Sequence, residues 1–214
     1  MTVHVWSGVT VKMQSALGTP LVVTAVSKAA IGVAAFTPGT DPTIGDYLLM
    51  TAEGMHEISG RVFRAGTVVA GTSFQLAGEN TTNYGTYVSG TATPITFGTT
   101  LLSARGVTAS GGEPTFIDIS TIHDKVDRQR PGNTSAASFG FECFWDPGDA
   151  ALVAMKAASD EGAERAFQIT FDNGALVVFN GYVSASLLPG GSAGDVVTTQ
   201  VTITMSGTST AYAS

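Results

Sequence analysis

Apolar and polar residues alternate with period two along most of the chain, the pattern of strands that bury one face. Short β-branched runs predict strands at Val3–Trp6 and Leu21–Val26. Further strands are expected at Asp46–Thr51, Ile58–Val69, Ser73–Leu76, Thr93–Phe97 and Thr100–Ala104, separated by glycine-containing turns. Residues 105–135 hold Gly111-Gly112, Pro114 and Pro131-Gly132 with little apolar periodicity, and predict a long loop interrupted by one short strand, Phe116–Ile119. The signal sharpens at Ser138–Trp145, where Phe139, Phe141, Cys143 and Trp145 share a face. Asp146-Pro147 then predicts an N-cap with proline at the first helical position, Asp149 in the first turn, and a helix of about three turns ending near Gly162. Arg165–Phe171 and Ala175–Tyr182 flank Asn173-Gly174, whose tolerance of positive φ predicts a hairpin with a type I′ turn. A last strand, Val196–Ser206, puts Val197, Val201, Ile203 and Met205 on one face. Thr198, Gln200, Thr202, Thr204 and Ser206 occupy the other, uncharged and hydroxyl-rich.

A chain of 214 residues is one large domain, or one domain with an insertion, and can bury roughly three quarters of its unfolded surface. Only 13% of residues are charged, against about 25% in ordinary soluble domains, while glycine reaches 26 and threonine 29. So low a charge suggests a surface that does not all face bulk water, although threonine and serine can also solvate a β-rich monomer. Cys143 is the single cysteine, which excludes a disulfide scaffold. The longest run free of charged and strongly polar residues, Ala29–Phe36, falls far short of the ~20 needed for a membrane helix. No basic segment precedes an apolar stretch at the start, so no secretory signal is expected. The net charge of −7 argues against attraction to nucleic acid. That charge is uneven: residues 1–130 carry nine acidic and eight basic groups, and residues 131–214 carry eight acidic groups against Lys156 and Arg165 alone.

No catalytic constellation is visible. His4, His56 and His123 lie far apart with no Gly-x-Ser-x-Gly elbow beside them, and Cys143 falls in the apolar phase of its strand. No Cys/His set has zinc spacing, and the run Pro189-Gly190-Gly191-Ser192-Ala193-Gly194 lies between strands and lacks the lysine of a phosphate loop. No catalytic residue, metal or cofactor is therefore expected. The one charged cluster is His123 to Arg130, where Lys125, Asp127, Arg128 and Arg130, with Arg105 as an upstream neighbour, gather four of the ten basic groups. Against an acidic C-terminal half, such a cluster suits a head-to-tail contact between copies, although a solvated loop has the same composition.

Residues from about Arg130 to Thr208 resemble the major tail tube protein of long, non-contractile-tailed, lambda-like phages. The similarity is carried by Ser138–Trp145, Asp146-Pro147-Gly148, the alanine-rich helix, Ala166–Phe171, Asp172-Asn173-Gly174, Phe179-Asn180-Gly181-Tyr182-Val183 and Asp195–Thr202. The middle of the first half is similar to a small β module of phage particle proteins, through Gly45-Asp46, Gly54-Met55, Gly60-Arg61, Phe63, Phe74–Gly78, Tyr84, Tyr87 and Ser89-Gly90. Ser59 stands where such modules often have asparagine.

The resemblance implies a mainly β fold, a two-sheet β sandwich or barrel with one flanking α-helix, plus a small inserted β module. Residues 1–29 and 96–214 would form the tube domain, with 105–133 as its long loop, and 30–95 the insertion. It also implies a structural virion protein with no enzymatic activity, polymerising in the host cytoplasm as stacked hexameric rings around a tape-measure protein. Tail terminator and tip proteins would be its other partners, DNA would pass through without specific binding, and no membrane would be involved. Thr198, Gln200, Thr202 and Thr204 become candidates for a channel- or subunit-facing strand. Lys125, Asp127, Arg128 and Arg130 become candidates for an inter-ring contact loop. The alternatives are a phage surface adhesion or receptor-binding module, and an enzyme whose site the sequence does not advertise.

Overall fold

The structure, a computed structural model, describes residues 6–213, so His4 and residues 3–5 of the first expected strand lie outside the described residues. In chain order the strands are β1 (Thr10–Leu17), β2 (Leu21–Val26), β3 (Val33–Phe36) and β4 (Tyr47–Glu53). A single 3-10 turn at His56–Ile58 precedes β5 (Arg61–Val69), β6 (Ser73–Leu76) and the long β7 (Ser89–Leu101). Then come β8 (Ala104–Ser110), β9 (Pro114–Asp118), β10 (Gln129–Thr134) and β11 (Ser138–Phe144). Helix α1 (Ala150–Glu161) is followed by β12 (Arg165–Thr170), β13 (Leu176–Ala185), β14 (Thr198–Met205) and β15 (Thr210–Tyr212).

Six strands close into a barrel in the order β2-β3-β6-β5-β4-β7, with β7 returning to pair with β2. Alternate residues fill it: Phe36, Leu48, Met50, Phe63, Phe74 and Leu76 are all buried in one cluster. The far half of β7 leaves the barrel and pairs with β1, Val11 facing Leu101 and Leu17 facing Ile95. From there one sheet runs through β12, β13, β14 and β11 to β8 at its edge. Gly98 does not end a strand, as the expected break between Phe97 and Thr100 would require. The register shifts there by one residue, from Met13 facing Thr99 to Gln14 facing Phe97, so the glycine marks a bulge.

Helix α1 covers one face of this sheet. Ala151, Leu152, Met155 and Ala158, spaced along one side of the helix, are buried against Phe141, Phe167, Phe179, Val201 and Ile203. Its N-cap is Asp149, whose carboxylate accepts from the Ala151 backbone N–H at 2.8 Å, and not Asp146 as the Asp-Pro pair suggested. Asp146 instead accepts from the Gly148 N–H at 2.8 Å and shapes the preceding turn. Gly162 ends the helix in the left-handed conformation at φ 61°.

The hairpin at Asn173-Gly174 forms, but its turn differs from expectation. Leu187 is the only non-glycine residue with positive φ among the described residues, so Asn173 does not adopt the geometry of a type I′ turn. Phe171 N–H donates to the Ala175 carbonyl at 2.8 Å and Gly174 alone is left-handed, at φ 84°. Asp172, Asn173 and Gly174 thus form a three-residue loop with glycine at the left-handed position. Gly181, in the Asn-Gly-Tyr string, is required by close packing and not by its φ. A Cβ there would lie 2.4 Å from the Thr204 carbonyl oxygen across the β13–β14 ladder. Gly181→Ala is expected to lower stability by about 1–3 kcal/mol, read as an earlier thermal midpoint by circular dichroism.

The largest difference concerns residues 105–135, expected as a long loop interrupted by one short strand, Phe116–Ile119. They form a long arm in two stages: β8 pairs with β11, then, beyond Gly111-Gly112, β9 pairs with β10 as a separate two-stranded sheet. Every residue of β9 is exposed. The short strand expected at Phe116–Ile119 falls on β9, whereas its partner β10, with no buried face, leaves no period-two record and was not expected.

Candidate assembly surface

The sheet face opposite α1 is partly covered. The outside of the barrel packs on it through Val62, Ile95, Ala166, Val178 and Tyr212. Past that cover, β13, β14, β11 and β8 present an open face. In β14, Thr199, Val201, Ile203 and Met205 point to the core, while Thr198 and Thr202 are half-buried and Gln200 and Thr204 exposed. These four therefore share the open face, as their alternation predicts. The pairing register sets them in rows across the sheet: Tyr182–Thr204–Ser138–Ser110, then Ser184–Thr202–Gly140–Thr108. Ser110 and Ser138 hydroxyls hydrogen-bond at 2.9 Å, and the Thr108 hydroxyl donates to the Gly140 carbonyl at 3.3 Å.

Tyr182, Ser184, Ser138, Thr108 and Ser110 were not singled out from sequence. The period-two pattern of β11 and β13 held the signal, because each of the first three alternates with a residue of the core. In the β11–β14 part of this face the one ionic group is Glu142, which lies opposite Gln200 and 3.6 Å from Arg105. The other seven acidic groups of residues 131–214 sit in the turn before α1, on α1, after it, or in later turns. The open face is thus close to neutral, and the acidity of the C-terminal half belongs to the helix side and the loops.

The charged cluster lies at the tip of the arm. Lys125 and Asp127 are exposed in the bend between β9 and β10, Arg128 precedes β10, and Arg130 lies within it opposite Ile117. Arg105 is not their neighbour: it stands at the start of β8, the end away from the arm, with its guanidinium 5.9 Å from the Phe144 ring. The tip is ordered by local hydrogen bonds. Asp124 accepts from the Thr121 N–H and hydroxyl, both at 2.9 Å, and faces Arg128 at 3.7 Å. The Thr121 backbone bond, then its hydroxyl, hold the Asp124 carboxyl below the usual carboxylate range. Arg128 N–H donates to the Ser120 hydroxyl at 2.8 Å, and Ile119 N–H to the Arg128 carbonyl at 2.9 Å.

The remaining candidates for chemistry stay apart. His56 is exposed in the 3-10 turn of the barrel and His123 at the arm tip. Among the described residues no three His, Cys, Asp or Glu side chains converge as metal ligands would. Cys143 is fully buried between β8 and β14, and desolvation pushes its thiol up to about 11. A thiol reagent at mildly alkaline pH should therefore leave the folded chain unlabelled and label its single cysteine only on unfolding, which mass spectrometry reads directly.

The second half of the barrel, the arm, the open sheet and the helix are also the part of the chain with a known family. No protein of curated function matches the chain. The family described as phage tail tube protein, TTP, matches residues 53–214, about three quarters of the sequence. An exposed edge strand, an arm without a core of its own and a neutral hydroxyl face agree with a subunit that meets copies of itself, and by this match the chain belongs to the phage tail tube protein family.

Proposed function

We propose that the chain forms hexameric rings that stack into the tail tube and conduct the phage genome during ejection. Its role as a structural tube component of the virion tail follows from the family; the ring, the stacking and the conduit are the proposal. The observation that carries it is the edge strand β8 beside the open hydroxyl face. Among the described residues β8 pairs with β11 on one side and with no strand on the other, and an unpaired edge invites pairing with another chain. Six such sheets joined edge to edge would remove the edges and enclose a channel. Thr198, Gln200, Thr202 and Thr204 would face that channel, with Tyr182 and Ser184 beside them. Hydroxyls with no excess of positive charge would let a phosphate backbone slide, where a basic lining would hold it.

In this reading Lys125, Asp127, Arg128 and Arg130 contact the neighbouring ring, the tube grows around a tape-measure protein in the host cytoplasm, and terminator and tip proteins close its ends. Residues 30–95 would be an inserted module within a tube domain of 1–29 and 96–214, the barrel they build being completed by β2 from the first segment. Negative-stain microscopy of the purified chain tests the proposal: hollow tubes with a regular repeat support it, and a monomer that persists at high concentration contradicts it. Reversing Arg128 and Arg130 to glutamate should reduce tube yield while leaving the melting temperature of the free chain unchanged, since both side chains are exposed.

A further inference from the structure

Among the described residues twenty large apolar side chains are exposed, and eleven of them gather in two places. Five are on the arm: Phe116, Ile117, Ile119, Ile122 and Val126, with Ile122 97% exposed and Val126 78% exposed. Six are at the far end of the same strands: Leu102, Phe144, Trp145, Leu188, Val196 and Val197. β8 starts at this second patch with Ala104 and ends at the arm with Ser110, and β11 runs back from Ser138 to Phe144. The two apolar surfaces are therefore separated along one axis by strands of seven residues, roughly 23 Å.

The second patch is built, not incidental. Leu187 holds a left-handed conformation at φ 53°, costly for a bulky side chain. Its carbonyl accepts the Trp145 indole N–H at 2.9 Å, and the Trp145 backbone N–H donates to the Val197 carbonyl at 3.0 Å. These bonds fix the loop between β13 and β14 against the end of β11 and leave Leu188 71% exposed. Exposed Asp146 and Asp195 flank the patch, and on the arm Lys125 and Arg130 have no ion-pair partner among the described residues.

We infer that the apolar arm of one copy docks on the Leu188–Val196–Trp145 patch of the next copy, with Lys125 and Arg130 meeting the acidic rim. The partner is a second copy because the chain carries both halves of the contact. The halves lie at opposite ends of one axis, so each copy offers an arm forward and a patch behind. Such a heterologous contact does not close on itself along that axis and repeats without limit. The grip is mainly apolar, and the charges orient it. This inference rests on the tube reading and specifies the contact between successive layers.

Two double variants test it, one on the arm (Ile122→Asp with Val126→Asp) and one on the patch (Leu188→Asp with Val196→Asp). All four positions are exposed, so unchanged circular dichroism and melting are expected of the free chains. Each variant alone should need at least about tenfold more protein to polymerise, by light scattering. Mixed after separate purification, the intact patch of the first and the intact arm of the second should join, giving a discrete species of two assemblies that grows no further. Variants that polymerise like the unaltered chain, or a mixture that stays as two separate populations, would overturn the docking and leave the tube reading standing. An unaltered chain that never associates would overturn both.

Discussion

Replacing Glu79 by alanine should destabilise the chain by about 3–5 kcal/mol, because it strands a buried guanidinium. Arg61 and Glu79 form a two-point ion pair whose side chains are each about 10% exposed. Arg61 also donates to the Glu57 carbonyl at 3.1 Å and to the Thr210 hydroxyl at 3.2 Å, and Tyr84 donates its hydroxyl to Glu79. Removing the carboxylate leaves the Arg61 charge without its counter-ion and the Tyr84 hydroxyl without its acceptor, in a place where the Arg61 Nε already has no partner among the described residues. At about 2–4 °C per kcal/mol for a chain of this size, the melting temperature should fall by roughly 6–20 °C. Replacing both residues by methionine should cost much less, since no charge is then left unpaired. If the single and double variants melt alike, the pair does not hold the barrel in the way described.

This cluster also joins distant parts of the chain. Thr210 belongs to β15, the short strand that pairs with β13, while Arg61 and Glu79 belong to the barrel side. Two residues on, the Tyr212 hydroxyl accepts the Arg64 backbone N–H at 2.8 Å, and the Arg64 guanidinium lies 4.5 Å from the Tyr212 ring centre. Burial pushes the Tyr212 phenol up, so it stays neutral across the physiological range. The loss on removing Glu79 therefore reaches the junction of barrel and sheet as well as the barrel itself.

A loss of similar size is expected for Phe179→Ala. Phe179 is almost wholly buried between Phe139 and Phe167, with ring centres at 5.4 Å and 5.6 Å, and it lies under the cluster that α1 covers. Truncation removes the buried ring and leaves a cavity that rigid strands on both sides cannot fill. The expected cost is about 3–5 kcal/mol. Phe144→Ala is the control on the same sheet: that ring is 44% exposed, so its removal should change stability by no more than about 0.5 kcal/mol. Denaturant unfolding of the two variants should separate them clearly, with the midpoint moving for Phe179 alone. Equal midpoints would mean that the sheet core is not packed as the ring contacts indicate.

Legibility from sequence follows burial. β2 and β6 fall on the residues expected, and the two faces of β14 are those its alternation predicts, because each of these strands has one wall of a core to face. β1 escaped notice: its core residues Val11 and Met13 are spaced by Lys12 and Gln14, residues poor in strand preference, and the sheet on both sides overrides that preference. The β9–β10 arm was legible only as the short strand expected at Phe116–Ile119, for a different reason. Having no core, it carries exposed isoleucines and a phenylalanine with no periodic partner, and its shape is set by cross-strand bonds that composition does not record. The functional side divides the same way. The hydroxyl face was visible in one strand through Thr198, Gln200, Thr202 and Thr204, and its extension over three others needed the register. The charge cluster was visible at the arm tip, but the apolar surface around it was hidden inside an apparent loop.

A helical reconstruction of the assembled tube by electron cryomicroscopy tests the proposed subunit arrangement most directly. Six-fold rings are expected, in which β8 pairs with a neighbouring subunit, Gln200, Thr202 and Thr204 line the lumen, and α1 faces outward. A tube whose lumen is lined by α1, or one in which the β14 hydroxyl face points to the outside, would contradict that arrangement.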